Sequence, residues 1–451
     1  MDWGNQTVTM RLNHLFSQKV FSNFTLIRSQ FDYGLGIPEG RAESFLWTSV
    51  LDDYTAKADF GFYPDPSNTV RFGVSSSYHK IVPGSAKGLG SGSFFNEYKL
   101  PPNNALEHAV YAGNEQQLTS TISLKYGLRF TAFQNIGNAT LYHFDDNFQS
   151  IDSSVYSSGK VFNTYFGVEP RFAMTYLIDS LSSIKASWSR TVQYIHLASN
   201  SASGNPLDVW FPSSPNVKPQ KGDQFSLGYF RNFMKNKIES SAEVYFKKNY
   251  NCIDFRDHAE LLLNPKLEGE LRFGTAYSYG LELYIKYQND RLNGWISYTY
   301  SRFMRKIREI NEGKEYRSPY DKPHNISVVG NYLISKRVSL GANWVYATGA
   351  PVTFPTGRAI IGNKVVPVYS DRNAYRMPDY HRLDLSITYK GKDKPGKRWK
   401  GEWNFSLYNA YGRKNAWVIN FTEDPDNQDA MIAEKTYLFS VIPSLTYNFH
   451  F

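Results

Sequence analysis

Apolar and polar residues alternate along most of the chain, and positions 437–451 show the pattern most clearly. Every second residue there is apolar, mostly aromatic, and the residues between are mainly small or polar. The apolar set is Tyr437, Phe439, Val441, Pro443, Leu445, Tyr447, Phe449 and Phe451. A period of two predicts a β-strand with one apolar face. A bare aromatic strand invites aggregation in water but not in lipid, so the pattern favours a membrane location.

The same alternation recurs in 124–132, 279–287 and 382–390. If these strands close into a barrel, their polar positions line its lumen. Those lumen positions include Lys125, Arg129, Glu282, Lys286, Arg382 and Asp384. A soluble β-sandwich would show the same alternation, so the strands alone leave both folds open.

The spacing of the strands favours a barrel over a sandwich. About seventeen strands are predicted, and short and long links alternate between them. The strands lie near 5–16, 20–33, 44–63, 68–82, 105–118, 122–136, 161–178, 183–198, 223–234, 237–254, 272–288, 292–304, 323–335, 337–349, 379–391, 399–421 and 434–451. The predicted fold is all-β, a transmembrane antiparallel β-barrel that occupies 1–451 as one domain.

Composition narrows the function classes. Aromatic residues make up 16% of the chain, as expected for girdles at two membrane interfaces. The sequence contains no uncharged apolar run of roughly 18 or more residues, which excludes a helical membrane protein. The net charge of +9 is scattered rather than clustered, which disfavours nucleic-acid binding. Cys252 is the single cysteine, so a disulfide framework and a thiol-based zinc site are excluded.

The first residues carry neither the basic nor the apolar region of a signal peptide. We expect the C-terminal strand to end at the side of the short turns. Because seventeen is an odd number, antiparallel strands counted back from that end place residue 1 at the side of the long loops. Bacterial barrels normally have an even number of strands and both ends in the periplasm. We therefore expect the chain to be the C-terminal part of a longer protein.

No catalytic constellation is recognisable, so an enzyme is not predicted, and neither is a cofactor or a metal. Asp257, His258 and Glu260 offer metal ligands, but their spacing matches no zinc motif and a solvated loop is favoured.

Two long connections contain candidate ligand-binding residues. The first includes Asp208, Trp210 and Phe211, whose rings could stack on a ligand or pack into the loop's own small core. The second, 350–378, is rich in arginine and tyrosine, which would suit an anionic ligand. Packing or contact with lipopolysaccharide would explain its residues equally well. The candidates in that connection are Arg358, Tyr369, Arg372, Tyr375 and Arg376.

Ten segments in order along the chain resemble the C-terminal barrel of TonB-dependent outer-membrane receptors, in the form common in Bacteroidetes. They include SRTVQYIHLAS (189–199), GWISYTYSR (294–302), SPYDKPHNIS (318–327), WVYATGAPVTFPTGR (344–358) and RMPDYHRLDLSITY (376–389). The others are 3–33, 53–73, 213–230, 260–283 and 405–421.

The resemblance implies a barrel of about 22 strands with an N-terminal plug and a TonB box. Neither the plug, the TonB box nor the first five strands is recognisable in this sequence. The implied function is uptake of a nutrient ligand of the siderophore, cobalamin, saccharide or peptide class, with energy supplied through TonB. A plugless passive porin, or a structural barrel that scaffolds partner proteins, is the alternative.

The resemblance also implies partners in the cell outer membrane of a Gram-negative bacterium. They are outer-membrane lipid and lipopolysaccharide, the TonB complex if a plug is present, the barrel assembly machinery and a surface lipoprotein. Tyr447, Phe449 and Phe451 match the C-terminal signal that the assembly machinery reads. The charged lumen wall matches the surface that contacts the plug in the family, so here it would either hold a plug or simply line water.

Overall fold

The computed structural model describes residues 2–37, 44–90, 93, 96–198, 209–261, 263–361, 364–392, 400–424 and 427–450. The strands are β1 Asp2–Ser17, β2 Val20–Ile37, β3 Phe45–Phe62, β4 Asn68–Gly88, β5 Tyr98–Lys99, β6 Asn103–Gln117, β7 Ile122–Ile136, β8 Ala139–Phe144, β9 Ser150–Tyr156, β10 Val161–Asp179, β11 Ser182–Gln193, β12 Ile195–Ala198, β13 Val209–Pro212, β14 Gln220–Phe233, β15 Ile238–Phe255, β16 Leu271–Gln288, β17 Leu292–Ile307, β18 Tyr316–Arg317, β19 His324–Ser335, β20 Val338–Ala347, β21 Pro351–Val352, β22 Pro355–Ile361, β23 Lys364–Tyr369, β24 Tyr375–Arg376, β25 Tyr380–Lys390, β26 Lys400–Tyr408, β27 Val418–Asp424, β28 Asn427–Thr436 and β29 Ile442–His450. Two 3-10 turns span Leu267–Glu270 and Ile310–Gly313. No helix in the described part of the chain is long and apolar enough to cross a membrane.

In the described part of the chain, one antiparallel sheet of 19 strands contains seventeen long strands, each of which pairs with the next long strand along the chain. This confirms the predicted all-β fold and the predicted strand number. The long strands are β1 to β4, β6, β7, β10, β11, β14 to β17, β19, β20, β25, β26 and β29. Among the described pairings, β1 bonds only to β2, and β29 bonds only to β26.

The two ends of the sheet differ, because short turns gather at one end and long connections at the other. At the short-turn end, β14 and β15 are joined across Lys235 and Asn236, whose φ values of 55° and 64° suit a tight hairpin turn. At the long-loop end, the connections fold into hairpins of their own. These hairpins are β8–β9, β12–β13, β22–β23 and β27–β28.

The two faces of the sheet differ as strongly as its ends. On the apolar face, Val110 lies opposite Phe130, which lies opposite Val168, and each side chain is about half exposed. On the polar face, Tyr111 lies opposite Arg129, itself opposite Glu169. A broad, exposed apolar surface is unusual for a protein in water and suits contact with lipid.

The structure corrects the C-terminal boundaries. The strand predicted over 399–421 ends at Tyr408, where Asn409 adopts a φ of 53° and its amide bonds the carbonyl oxygens of Arg413 and Ser440. Between the last two predicted strands, the described residues 422–424 and 427–433 belong to the β27–β28 hairpin. The last strand begins at Ile442 rather than 434, because residues 437–441 form no ladder. Alternation by itself cannot show where a left-handed residue ends a strand.

Within β29 the predicted alternation holds. Leu445, Tyr447 and Phe449 share one face with Trp403 and Phe405 of β26, and all five side chains are at least one-third exposed. Phe451 lies outside the described residues.

Candidate ligand-binding site

A segment at the long-loop end folds over the polar face of the sheet. We call Tyr194–Ala198 and Val209–Pro219 the inward segment, and the β12–β13 hairpin forms its centre. The Tyr194 ring stacks on Phe133 at 4.8 Å, and its hydroxyl lies 2.6 Å from that of Thr131. β13 contacts β4 and β6, whereas β12 contacts β15, which lies several strands away in the sheet. The segment therefore links distant parts of the polar face.

Apolar burial fixes the inward segment. Phe211 is only 4% exposed and packs with Val209 and Val217. Phe255 at the end of β15, Leu267 in the connection that follows and Leu271 at the start of β16 complete this cluster. Trp210 packs instead against a second cluster, formed by Tyr33, Trp47 and Ala86. This geometry agrees with the alternative that the two rings pack into a small core of the loop. Ligand contact by Trp210 and Phe211 therefore stays a prediction. Asp208 lies outside the described residues.

Buried polar contacts complete the inward segment. His196 is 3% exposed, and its Nε2 lies 2.9 Å from the Ser213 hydroxyl. The side-chain amide of Asn135 donates to the Ser213 carbonyl at 2.7 Å, and Tyr165 donates to the Ser214 carbonyl at 2.9 Å. Burial lowers the pKa of His196 to about 4, because the imidazolium would lose its hydration. The imidazole is therefore neutral near pH 7.

Ion pairs and hydrogen bonds help to hold the connection 350–378, beside the packing of Pro351 and Phe354. Arg372 donates to the carboxylate of Asp254 at 2.7 Å and to that of Asp257 at 2.6 Å. Its backbone also exchanges two hydrogen bonds with the Asn311 side chain. We call these four residues the arginine latch. Burial acts to lower the pKa of Arg372, but the attraction of Asp254 and Asp257 outweighs it and raises that pKa above its usual value.

The other candidates of this connection divide into buried and exposed groups. Arg376 forms an ion pair with the fully buried Asp321 and donates to the Gly349 carbonyl at 3.0 Å. Tyr369 and Tyr375 are about half exposed, and Arg358 on β22 is partly buried. The structure thus places Arg372 and Arg376 in internal ion pairs, whereas Tyr369 and Tyr375 are exposed at the long-loop end. Ligand contact by all five stays a prediction.

The predicted lumen residues all lie on the polar face, and most of them form an ion pair there with a residue of opposite charge. The distances between the charged atoms are 3.9 Å for Lys125–Glu115, 3.8 Å for Arg129–Glu107, 3.1 Å for Lys286–Glu239 and 2.9 Å for Arg382–Asp384. Glu282 differs, since it stands opposite Glu243 on the next strand. Like charges placed directly across a ladder repel, so Glu282 is the unbalanced position of this wall.

The structure also contains a cavity that was not predicted from the sequence. It measures about 250 Å³ and lies between the β8–β9 turn and the connection that precedes β16. Three cations line it, namely Arg256, Lys266 and Arg272. No motif marks these positions, because they meet the β8–β9 turn only through tertiary folding.

In the described ranges, no three His, Cys, Asp or Glu residues lie close enough together to hold a metal ion. Of the Asp257–Glu260 stretch, Asp257 belongs to the arginine latch.

Comparison with known proteins places these features in a family. The family described as "TonB dependent receptor-like, beta-barrel" matches residues 2–410. A search of the curated proteins finds no match.

Solved structures with the same fold include three siderophore receptors. The ferric-catecholate import receptor Fiu of E. coli is 13% identical with a TM-score of 0.61, over 99% of this chain and 64% of that chain. The siderophore receptor PiuA of Acinetobacter baumannii is 14% identical with a TM-score of 0.61, over 99% and 64%. The pyoverdine receptor FpvA of Pseudomonas aeruginosa is 12% identical with a TM-score of 0.61, over 98% and 61%.

At these identities the likeness establishes the fold, and the chain spans less than two-thirds of the length of each of these receptors. The family match covers far more than half of the sequence. This chain therefore belongs to the TonB-dependent receptor-like β-barrel family.

Proposed function

We propose that the protein is an outer-membrane receptor that takes up a nutrient ligand with energy supplied through TonB. The family match over residues 2–410 carries this proposal, because members of the family are transport receptors of the Gram-negative outer membrane. The exposed apolar face supports it, since that face would meet lipid. The ligand would belong to the siderophore, cobalamin, saccharide or peptide class, and the sequence resembles the form common in Bacteroidetes.

In the proposed mechanism, residues at the long-loop end capture the ligand outside the cell. Tyr369 and Tyr375 are the exposed candidates and Arg358 is a partly buried one, and an arginine with two tyrosines suits an anionic or aromatic group. Passage would follow when TonB pulls on a plug that the charged polar face holds. Glu282, the unbalanced position of that face, would be offset by a cation of such a plug.

The first experiment tests the membrane location. The full-length gene product is expressed in its host, the outer membrane is extracted, and heat-modifiability is measured on a gel. A folded-barrel band shift in the outer-membrane fraction is expected. A soluble product, or one without a shift, would overturn the proposal.

Uptake in cells with and without TonB separates the receptor from a passive porin or a scaffold barrel. Loss of uptake without TonB is expected. Uptake that persists without TonB would support the porin instead.

The assembly signal has its own test. Deletion of Phe451 should lower the amount of inserted barrel more than it lowers ligand binding per inserted molecule. Normal membrane levels of the Phe451 deletion variant would show that Phe451 is not part of the assembly signal.

Surface lipoproteins and the assembly machinery can be sought by crosslinking of the intact receptor in the same cells.

A further inference from the structure

The cavity beside the β8–β9 turn has the construction of a binding site. The turn is rigid, because the Asp145 carboxylate accepts the backbone N–H groups of Asn147 at 2.9 Å and Gln149 at 2.8 Å. Within it, Phe148 adopts a left-handed φ of 61°, which is uncommon for a bulky side chain. This conformation brings the Phe148 ring to 3.8 Å from the centre of the Arg272 guanidinium. Strain of this kind is retained where surrounding structure enforces it, often at ligand sites.

The opposite wall approaches the turn so closely that it requires glycine. A Cβ added to Gly269 would lie 2.6 Å from the Phe144 ring and 3.1 Å from the Phe148 carbonyl oxygen. The 3-10 turn that carries Gly269 can therefore pack against the hairpin only without a side chain at this position. The cavity is thus defined by two backbone segments held in contact rather than by mobile side chains.

Arg272 is the central polar group of the cavity and is 7% exposed. Its Nε forms an ion pair with Glu309, and its Nη1 donates to the carbonyl oxygens of Gly269 at 3.0 Å and Leu271 at 2.9 Å. Its Nη2 has no hydrogen-bond acceptor among the described residues. The Arg272 side chain as a whole is thus largely buried, and it lines a cavity large enough for a small ligand.

The charge of the cavity is positive. Its lining holds the three cations Arg256, Lys266 and Arg272 against one carboxylate, Glu270, which Arg256 already binds at 2.5 and 3.0 Å. Lys266 has no carboxylate within ion-pair distance in the described part of the chain. Its ammonium group lies 5.6 Å from the centre of the Tyr142 ring. Lys266 is therefore the one lining cation to which the described residues supply no carboxylate, since Arg256 pairs with Glu270 and Arg272 with Glu309.

We propose that this cavity binds a carboxylate group of a small extracellular ligand. The volume of about 250 Å³ accommodates a carboxylate with a ring or short chain attached, and excludes a whole siderophore. A carboxylate would accept hydrogen bonds from Arg272 Nη2 and Lys266 Nζ, and charge-assisted bonds of this type are the strong ones. The rings of Phe144 and Phe148 would contact the apolar part of the ligand. The inference deepens the proposed function, on which its biological meaning rests, by naming a ligand class and a subsite.

The test is an NMR titration of the purified protein in detergent with benzoate, its neutral analogue benzamide, and inorganic phosphate. Saturable binding of benzoate without binding of benzamide is expected. Equal binding of benzoate and benzamide, or no binding of either, would overturn the proposal. Binding of phosphate but not benzoate would also overturn it, because the site would then suit a phosphate such as that of lipopolysaccharide.

Variants locate the binding within the protein. Lys266→Gln should weaken benzoate binding about tenfold, since one charge-assisted hydrogen bond is lost. Lys314→Gln is the matched control, because Lys314 is 74% exposed, lies at the same end and is absent from the cavity lining. An unchanged affinity of Lys266→Gln for benzoate would show that the cavity is not the binding site. Heat-modifiability of both variants confirms that the barrel is folded.

These measurements need neither TonB nor cells, so the two proposals can fail separately. Benzoate binding without TonB-dependent uptake would support the carboxylate site and contradict the receptor function. TonB-dependent uptake without benzoate binding would support the receptor function and contradict the carboxylate site.

Discussion

The inward segment and the arginine latch lie at the same end of the sheet but are held by different forces. Phe211, Val209 and Val217 bury their side chains in an apolar cluster, whose stability depends little on salt. Arg372, whose side chain is about one-fifth exposed, instead joins the largely buried Asp254 and the exposed Asp257 through ion pairs. Apolar burial makes the inward segment a fixed part of the wall, whereas salt or a competing anion can weaken the latch.

The largest effect should follow from an enlarged cavity in the inward segment. Phe211→Ala should lower the free energy of local opening by about 3–5 kcal/mol, because a buried ring is removed and the cluster relaxes only in part. Hydrogen exchange of the amides at 209–217 measures the change.

Leu197→Ala on the same hairpin serves as control for Phe211→Ala, since Leu197 is 43% exposed and little change is expected. Equal exchange in the two variants would contradict the assignment of the segment as a packed core.

Acid should weaken the same segment through His196. Its folded pKa of about 4 lies below the ordinary value of 6.5, so the unfolded segment binds the proton more tightly. Stability should be full above pH 6.5, fall as the pH is lowered through the window from 6.5 to 4, and lose about 2 kcal/mol by pH 5. Exchange of the amides at 195–198 and 209–214 as a function of pH tests this.

His196→Gln should remove that pH dependence, because glutamine keeps a polar group for Ser213 but does not titrate. A dependence that survives the substitution would assign the effect to another group.

The latch should respond less than the apolar cluster. Arg372→Gln should destabilise the connection 350–378 by about 2 kcal/mol, since Asp257 loses its cation and Asp254 keeps only Arg305, while solvent screens part of the effect. Limited proteolysis of that connection reports the change. Raising the salt concentration should narrow the difference between wild type and variant.

The Lys314→Gln substitution is the control for the latch, because the Lys314–Glu312 pair is exposed on both sides. If salt weakens the inward segment as much as it weakens the connection 350–378, the contrast between the two regions fails.

The smallest effect concerns the polar face. Glu282→Gln should stabilise the sheet by less than about 1 kcal/mol, because it removes repulsion from Glu243 across the ladder. Glu239→Gln is the matched comparison and should destabilise slightly, since Lys286 loses its partner at 3.1 Å. Thermal unfolding of the barrel in detergent measures both. A loss of stability in Glu282→Gln would show that Glu282 has a partner that balances its charge.

The sequence predicted the strands better than the site. The polar-face positions Arg129, Lys286 and Arg382 could be recognised because the side-chain period of a strand is fixed at two. The roles of Phe211 and Arg372 could not, because a loop aromatic or arginine has the same sequence signature whether it meets a ligand or another loop. The cavity cations were missed for the same reason, since Lys266 and Arg272 face Phe148 only after folding.

The sequence alone therefore determined the all-β class, the seventeen long strands and their two unlike faces, because these follow from local periodicity. The tertiary structure decided which loop residues are buried, paired or left with an unused donor. Arg372 meets Asp254 across 118 positions of the chain, and no local pattern encodes a contact of that range. Only the packing of the connections at the long-loop end brings those groups together.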